Sequence, residues 1–135
     1  MNLQIDKFEQ NGIIPFIEEV LNSLNIGIIM IDTMLSINKI STVAKKIFQY
    51  KNGELNKRSI KLLFKEKEYL IFQNIIRDFS SPSKFLIRKK YELSVVRKDM
   101  STITLEFSIF KVHKNNSHIF ILIFPHVNEF NDNVD

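Results

Sequence analysis

A chain of 135 residues, 44% of them hydrophobic, has material for one domain with a core of its own and leaves no second fold to be expected. Its 19 Lys and Arg against 15 Asp and Glu leave a formal charge of +4, and the basic residues are scattered apart from Arg88-Lys89-Lys90 and Lys57-Arg58; this fits a solvated surface better than the continuous basic face of a nucleic-acid binder. Zero cysteines exclude disulfides, thiolate metal sites and a cysteine nucleophile, and no apolar run approaches the roughly 18 residues of a membrane-spanning helix. The mixed charges of Met1 to Gln10 are unlike a signal peptide, so a soluble, cytoplasmic protein without a membrane or nucleic-acid partner is expected.

Residues 1–12 read as a flexible arm, 13–25 as an N-terminal helix, 26–128 as the folded domain and 129–135 as a tail or linker. In the helix, Ile13, Ile17, Val20 and Leu24 follow a 4-3-4 spacing, with Ile14 and Leu21 as a second row, while Glu18 and Glu19 face away. Pro15 fits the first turn, where a missing N–H costs no intrahelical bond. Gly27 to Asp32 is an apolar strand without alternation, followed after Thr33-Met34-Leu35 by the strand Ser36 to Ile40. A short helix starts at Thr42 with Val43, Ala44, Ile47 and Phe48 on one face, and Lys51-Asn52-Gly53-Glu54 breaks it. Short helical or irregular pieces carry Leu55, Ile60, Leu62, Leu63 and Phe64. Glu66 to Phe79 is the longest internal helix, with Tyr69, Phe72, Ile76 and Phe79 at 3-4-3 spacing, and Ser80-Ser81-Pro82-Ser83 ends it.

Phe85 to Arg97 reads as a long strand in which Tyr91, Leu93 and Val95 share a face. Ile103, Leu105, Phe107 and Ile109 then alternate with Thr102, Thr104, Glu106 and Ser108, which predicts a strand with one buried and one wet face. Lys114-Asn115-Asn116-Ser117 makes a polar turn into Ile119 to Phe124, six apolar residues closed by Pro125 and suited to a central strand with cover on both faces. Helix, two strands, three short helices and three strands make an antiparallel α+β domain with its internal helices on one side. Phe72 and Phe107 should then face each other across the core. The outer sheet face is left for the N-terminal helix, alone or shared with the same helix of a second copy, with Ile13, Ile17, Val20 and Leu24 as the expected dimer interface.

Reactive chemistry is hard to find. The chain has no Gly-rich phosphate loop, no Gly-x-Ser-x-Gly elbow and no histidine pair at helical spacing, so no catalytic residue is named and no enzyme is expected. His113 falls in the hairpin loop, His118 opens the central strand and His126 follows Pro125, a spacing without an evident first shell for a metal.

Gly27-Ile-Ile-Met-Ile-Asp32, the Ile37 to Ala44 stretch, Ile47-Phe48-Gln49-Tyr50, Gly53-Glu54-Leu55 and Arg97-Lys98-Asp99-Met100-Ser101 together resemble a PAS domain, the sensory module of many signalling proteins. The resemblance spans roughly Val20 to Glu129 and implies a five-stranded antiparallel sheet in order 2-1-5-4-3, helices over one face and Ile119 to Phe124 central, to which the periodicity adds the N-terminal amphipathic helix. It also points toward the sensor domains of histidine kinases. Leu35, Gln49 and Met100 stand where the family often has glycine, and Ser41 where Asn is usual. A bulky residue at positive φ costs on the order of 1 kcal/mol, so the Leu35 and Met100 turns are expected to be reshaped. The closing Asp-Ile-Thr of many relatives is represented only by His126-Val127-Asn128.

Haem-binding relatives commonly use a His in or near the long helix, and Glu66 to Phe79 contains none; light-sensing relatives need a cysteine that is missing here. Neither cofactor is expected. Phe48, Ile60, Phe64, Tyr69, Phe72, Ile76, Leu93, Leu105 and Phe107 are the candidate lining of a ligand pocket between helices and inner sheet face, and the chain's 12 phenylalanines favour a filled interior over an open one. Two functions follow: a non-catalytic signalling domain that homodimerises and passes a packing change to a partner or output domain, or a receptor or carrier for a small apolar ligand.

Overall fold

The computed structural model describes residues 14–79, 89–114 and 116–125. The expected arm, Ile13, the first part of the Phe85 strand, His126 and the tail lie outside them. The elements in order are α1 (Ile14–Ser23), β1 (Gly27–Asp32), β2 (Ile37–Ile40), α2 (Thr42–Phe48), a 3-10 turn (Ile60–Leu63), α3 (Glu66–Asp78), β3 (Lys89–Val96), β4 (Thr102–Lys114) and β5 (Ser117–Phe124). The strands form one antiparallel sheet in order β2-β1-β5-β4-β3, with β5 central.

Register explains which side chains enter the core. Gly27, Ile29 and Ile31 pair with Phe124, Leu122 and Phe120. On the far side Ile109 pairs with Leu122, and Tyr91, Leu93 and Val95 pair with Phe107, Leu105 and Ile103. These positions form the inner face, over which α2, the 3-10 turn and α3 place Ala44, Ile47, Phe48, Ile60, Leu63, Phe72 and Ile76. Burying each such Phe, Leu or Ile is worth about 1.5–3 kcal/mol, so the phase of the strands decides the stability of the domain. In β2 the register shifts opposite Met30 and Ile31, which pair with Lys39 and Ile37. That bulge lets Ile37 and Ile40, three apart, both reach the core, where strict alternation would send them to opposite faces.

Ser41 joins two elements. Its hydroxyl accepts from Ala44 N at 3.3 Å, capping α2, and from Ile28 N at 2.9 Å, tying the cap to β1. Gly27 matters through the side chain it lacks. A Cβ there would stand 3.1 Å from Ile47 Cδ1 and 3.3 Å from Ala44 Cα, so its absence lets α2 lie close on the sheet.

Two expectations are corrected. The turns at Leu35 and Met100 are not reshaped, since both residues keep positive φ, at 64° and 73°, and Gln49 does so as the C-cap of α2 at 69°. Hydrogen bonding holds them there. Asp32 Oδ1 accepts from Met34 N and Ser36 N, and Leu35 N donates to Asp32 O, while Asp99 Oδ1 accepts from Ser101 N and from the Ser101 hydroxyl. The second correction concerns His113, which belongs to β4 and not to a loop, because β4 runs on to Lys114 and pairs with β5 as far as Ser117.

Candidate functional site

The nine residues expected to line a pocket come together. Phe48, Ile60, Phe72, Ile76, Leu93, Leu105 and Phe107 are buried in one cluster, with Phe64 and Tyr69 half-buried against it. Their rings meet one another: Phe64 stacks on Phe72 at 5.0 Å between centroids, Phe72 lies 6.4 Å from Phe107, Phe107 lies 5.5 Å from Phe124, and Phe124 meets Phe48 edge-on at 5.8 Å. The aromatic side chains of this cluster thus contact one another in series.

The outer sheet face is different. Ile28 and Met30 of β1, Phe110 of β4, and Ile119, Ile121 and Ile123 of β5 are half-buried, and Val112 is exposed. Helix α1 leaves most of its apolar stripe in solvent, with Phe16 63%, Ile17 48% and Val20 37% exposed, and Leu24 just past its end is 52% exposed. Leu21 turns inward, and with Glu18 it forms one wall of a groove of about 370 Å³ over Ile28, Met30, Lys39, Ile40 and Lys45. Among the described residues the helix thus edges the sheet, with much of its own apolar face exposed and the outer β5 side chains half-buried.

A third cluster joins pieces that are distant in sequence. Lys98 N donates to Phe48 O, Asp99 N to the Gln49 side chain at 3.2 Å, and Lys98 Nζ reaches Glu54 at 2.8 Å and lies over the Tyr50 ring at 5.7 Å. The N–H of Lys51, and then Lys98, hold the Glu54 carboxyl below the usual range. These contacts clip the segment after α2 to the β3–β4 turn. They account for three of the sequence stretches that carry the PAS resemblance.

At the opposite end of the sheet lie residues that sequence reasoning did not connect. His113 and His118 are directly paired across β4 and β5, and Lys111, two residues before His113, is buried with its Nζ donating to Phe79 O. Alternation alone would have placed Lys111 and His113 on the inner face, but a lysine in that position reads as a break in the strand. Among the described residues no group of three or more metal-ligating side chains comes together.

The sequence matches the PAS domain family over residues 25–127. The chain belongs to the PAS domain family. No curated protein matches it, but solved PAS domains share its fold. The PAS domain of an HTR-like protein from Haloarcula marismortui is 18% identical with a TM-score of 0.68, covering 91% of this chain and 97% of that one. A PAS domain from a two-component sensor histidine kinase is 7% identical with a TM-score of 0.65, covering 82% and 92%. A fungal LOV domain photoreceptor is 12% identical with a TM-score of 0.58, covering 74% of each chain. At these identities the likeness concerns the PAS fold alone. PAS domains are generally sensory modules and not catalysts. Among the described residues no helix is long and apolar enough to cross a membrane.

Proposed function

We propose that this PAS domain is a non-catalytic signalling module that pairs with a second copy through α1 and the outer sheet face and passes a packing change to a partner or output domain. The observation that supports it is the apolar surface at this edge: Phe16, Ile17 and Val20 of the helix and Leu24 just past its end are exposed, beside half-buried Ile28, Met30, Ile119, Ile121 and Ile123 of the sheet. Contact between the same surface on two copies would be isologous and close as a two-fold dimer. Such an interface responds to the sheet, because side chains of β1 and β5 alternate between it and the core, so a shift in core packing reaches it through one strand thickness.

The reading is tested by light scattering on the wild type and on an Ile17→Glu, Val20→Glu variant. A dimer that becomes a monomer in the variant supports it, and a wild type that stays monomeric at high concentration overturns it. Reception of a small apolar ligand between helices and inner face has less support, since the rings of Phe64, Phe72, Phe107 and Phe124 pack on one another there. Native mass spectrometry separates the two, a co-purifying small molecule favouring the receptor and a bare dimer the signalling module.

A further inference from the structure

Among the described side chains, the inner face of β4 and β5 is apolar along most of its length, with an exception at the β4–β5 end. Past Ile109 and Leu122 comes Lys111 opposite Phe120, then His113 opposite His118. Lys111 is 5% exposed, and its Nζ donates at 2.5 Å to the carbonyl of Phe79, the C-cap of α3. The carbonyls at a helix C-terminus carry the negative end of the helix dipole, so an ammonium is well placed there. The two imidazoles touch edge to face with centroids 4.3 Å apart. His118 is half-buried, and its Nδ1 is closed to solvent and has no hydrogen-bond partner among the described residues.

Three nitrogen bases therefore share one face of one hairpin end, and one of them already carries a charge and holds a helix. A proton added to either ring sets a second cation on the face of Lys111, and protons on both set two cations in van der Waals contact. Among the described residues, the charged or chargeable groups that act on His118 are His113 and Lys111, both from β4; from α3 the Phe79 carbonyl faces Lys111, and Asp78 at the same helix end acts on Tyr91.

We propose that His113, His118 and Lys111 form a proton-sensitive latch: with both rings neutral, Lys111 stays seated on the Phe79 carbonyl and holds the end of α3 on the sheet, and protonation of the rings drives the hairpin tip and that helix end apart. The electrostatics act in this direction, since burial first, then His113 and Lys111, hold the His118 imidazole below its ordinary range. For a base depressed in the folded state, the unfolded or opened state takes up the proton first. The latch is thus fully closed above the ordinary imidazole pKa of about 6.5 and weakens as pH falls through and below it. The input would enter at α3 and the β4–β5 tip, and it does not depend on how α1 pairs.

The test uses NMR on the full chain between about pH 7.5 and pH 5, following the imidazole ring protons and the exchange protection of the backbone amides from Asn74 to Phe79. Expected are a His118 midpoint below the ordinary value and a protection factor at the end of α3 that falls about tenfold over the same range. A His113→Gln, His118→Gln variant should lose that step, and so should Lys111→Met. Should the double variant fail to fold, the single change at exposed His113 is read in the same way and should shrink the step. A His118 midpoint at or above the ordinary value, protection at Asn74 to Phe79 that is flat with pH, or a step that persists in the histidine variant overturns the proposal.

Discussion

Phe72 of α3 and Phe107 of β4 face each other across the core, ring centroids 6.4 Å apart and planes tilted by 43°. Both are essentially without solvent contact, and they form the middle link of the ring series from Phe64 to Phe124. Cutting either to Ala removes contacts on two sides of the cavity it leaves. Phe72→Ala and Phe107→Ala should each destabilise by about 3–5 kcal/mol in urea unfolding. The double variant should lose less than the sum, because the two share one contact.

Met100 is 75% exposed and sits at φ 73°, where its side chain contributes little and its Cβ is crowded by the backbone. Met100→Gly should therefore raise stability by about 0.5–1 kcal/mol, the relief of left-handed strain exceeding the added freedom of the unfolded chain. Leu35→Gly relieves the same strain but gives up packing, since Leu35 lies against the core. Thermal melting should place Met100→Gly above the wild type and Leu35→Gly below Met100→Gly.

Gly27→Ala tests the approach of α2 to the sheet. The Ile47 tip at 3.1 Å can swing aside, but the Ala44 Cα at 3.3 Å is backbone and moves only with the helix. A loss of about 1–3 kcal/mol is expected, read by chemical denaturation, with Gly27→Val clearly worse.

Asp99 gives the domain an acid limit of its own. Hydrogen bonds from the Ser101 hydroxyl, then the Ser101 N–H, hold its carboxyl below the ordinary value. A carboxylate depressed in the fold stabilises it above the unfolded pKa, and that contribution is lost as pH falls through the folded one. Denaturation midpoints measured between about pH 5 and pH 2 should fall less steeply for Asp99→Asn than for the wild type, and this limb lies well below any imidazole titration.

Periodicity in the sequence was enough to determine the phase of β4 and the face of α3 that enters the core, because period 2 and period 3.6 report burial on one side of an element whatever it packs on, and the unbroken apolar run of Ile119 to Phe124 was enough to place β5 centrally. The nine interior residues named from the sequence lie in or against one apolar cluster, since each is on the apolar face of its own element. Only the tertiary structure decided the rest. The bulge that turns both Ile37 and Ile40 inward depends on the pairing of β2 with β1. Leu35, Gln49 and Met100 keep a backbone conformation that suits glycine because hydrogen bonds from neighbouring residues enforce it, and no propensity argument contains those bonds. The pairing of His113 with His118 and the reach of Lys111 to Phe79 join residues whose neighbours in sequence say nothing of each other. Local pattern encodes which face of an element is dry, whereas contacts between elements are set by strand register and helix position, which exist only once the chain has closed on itself.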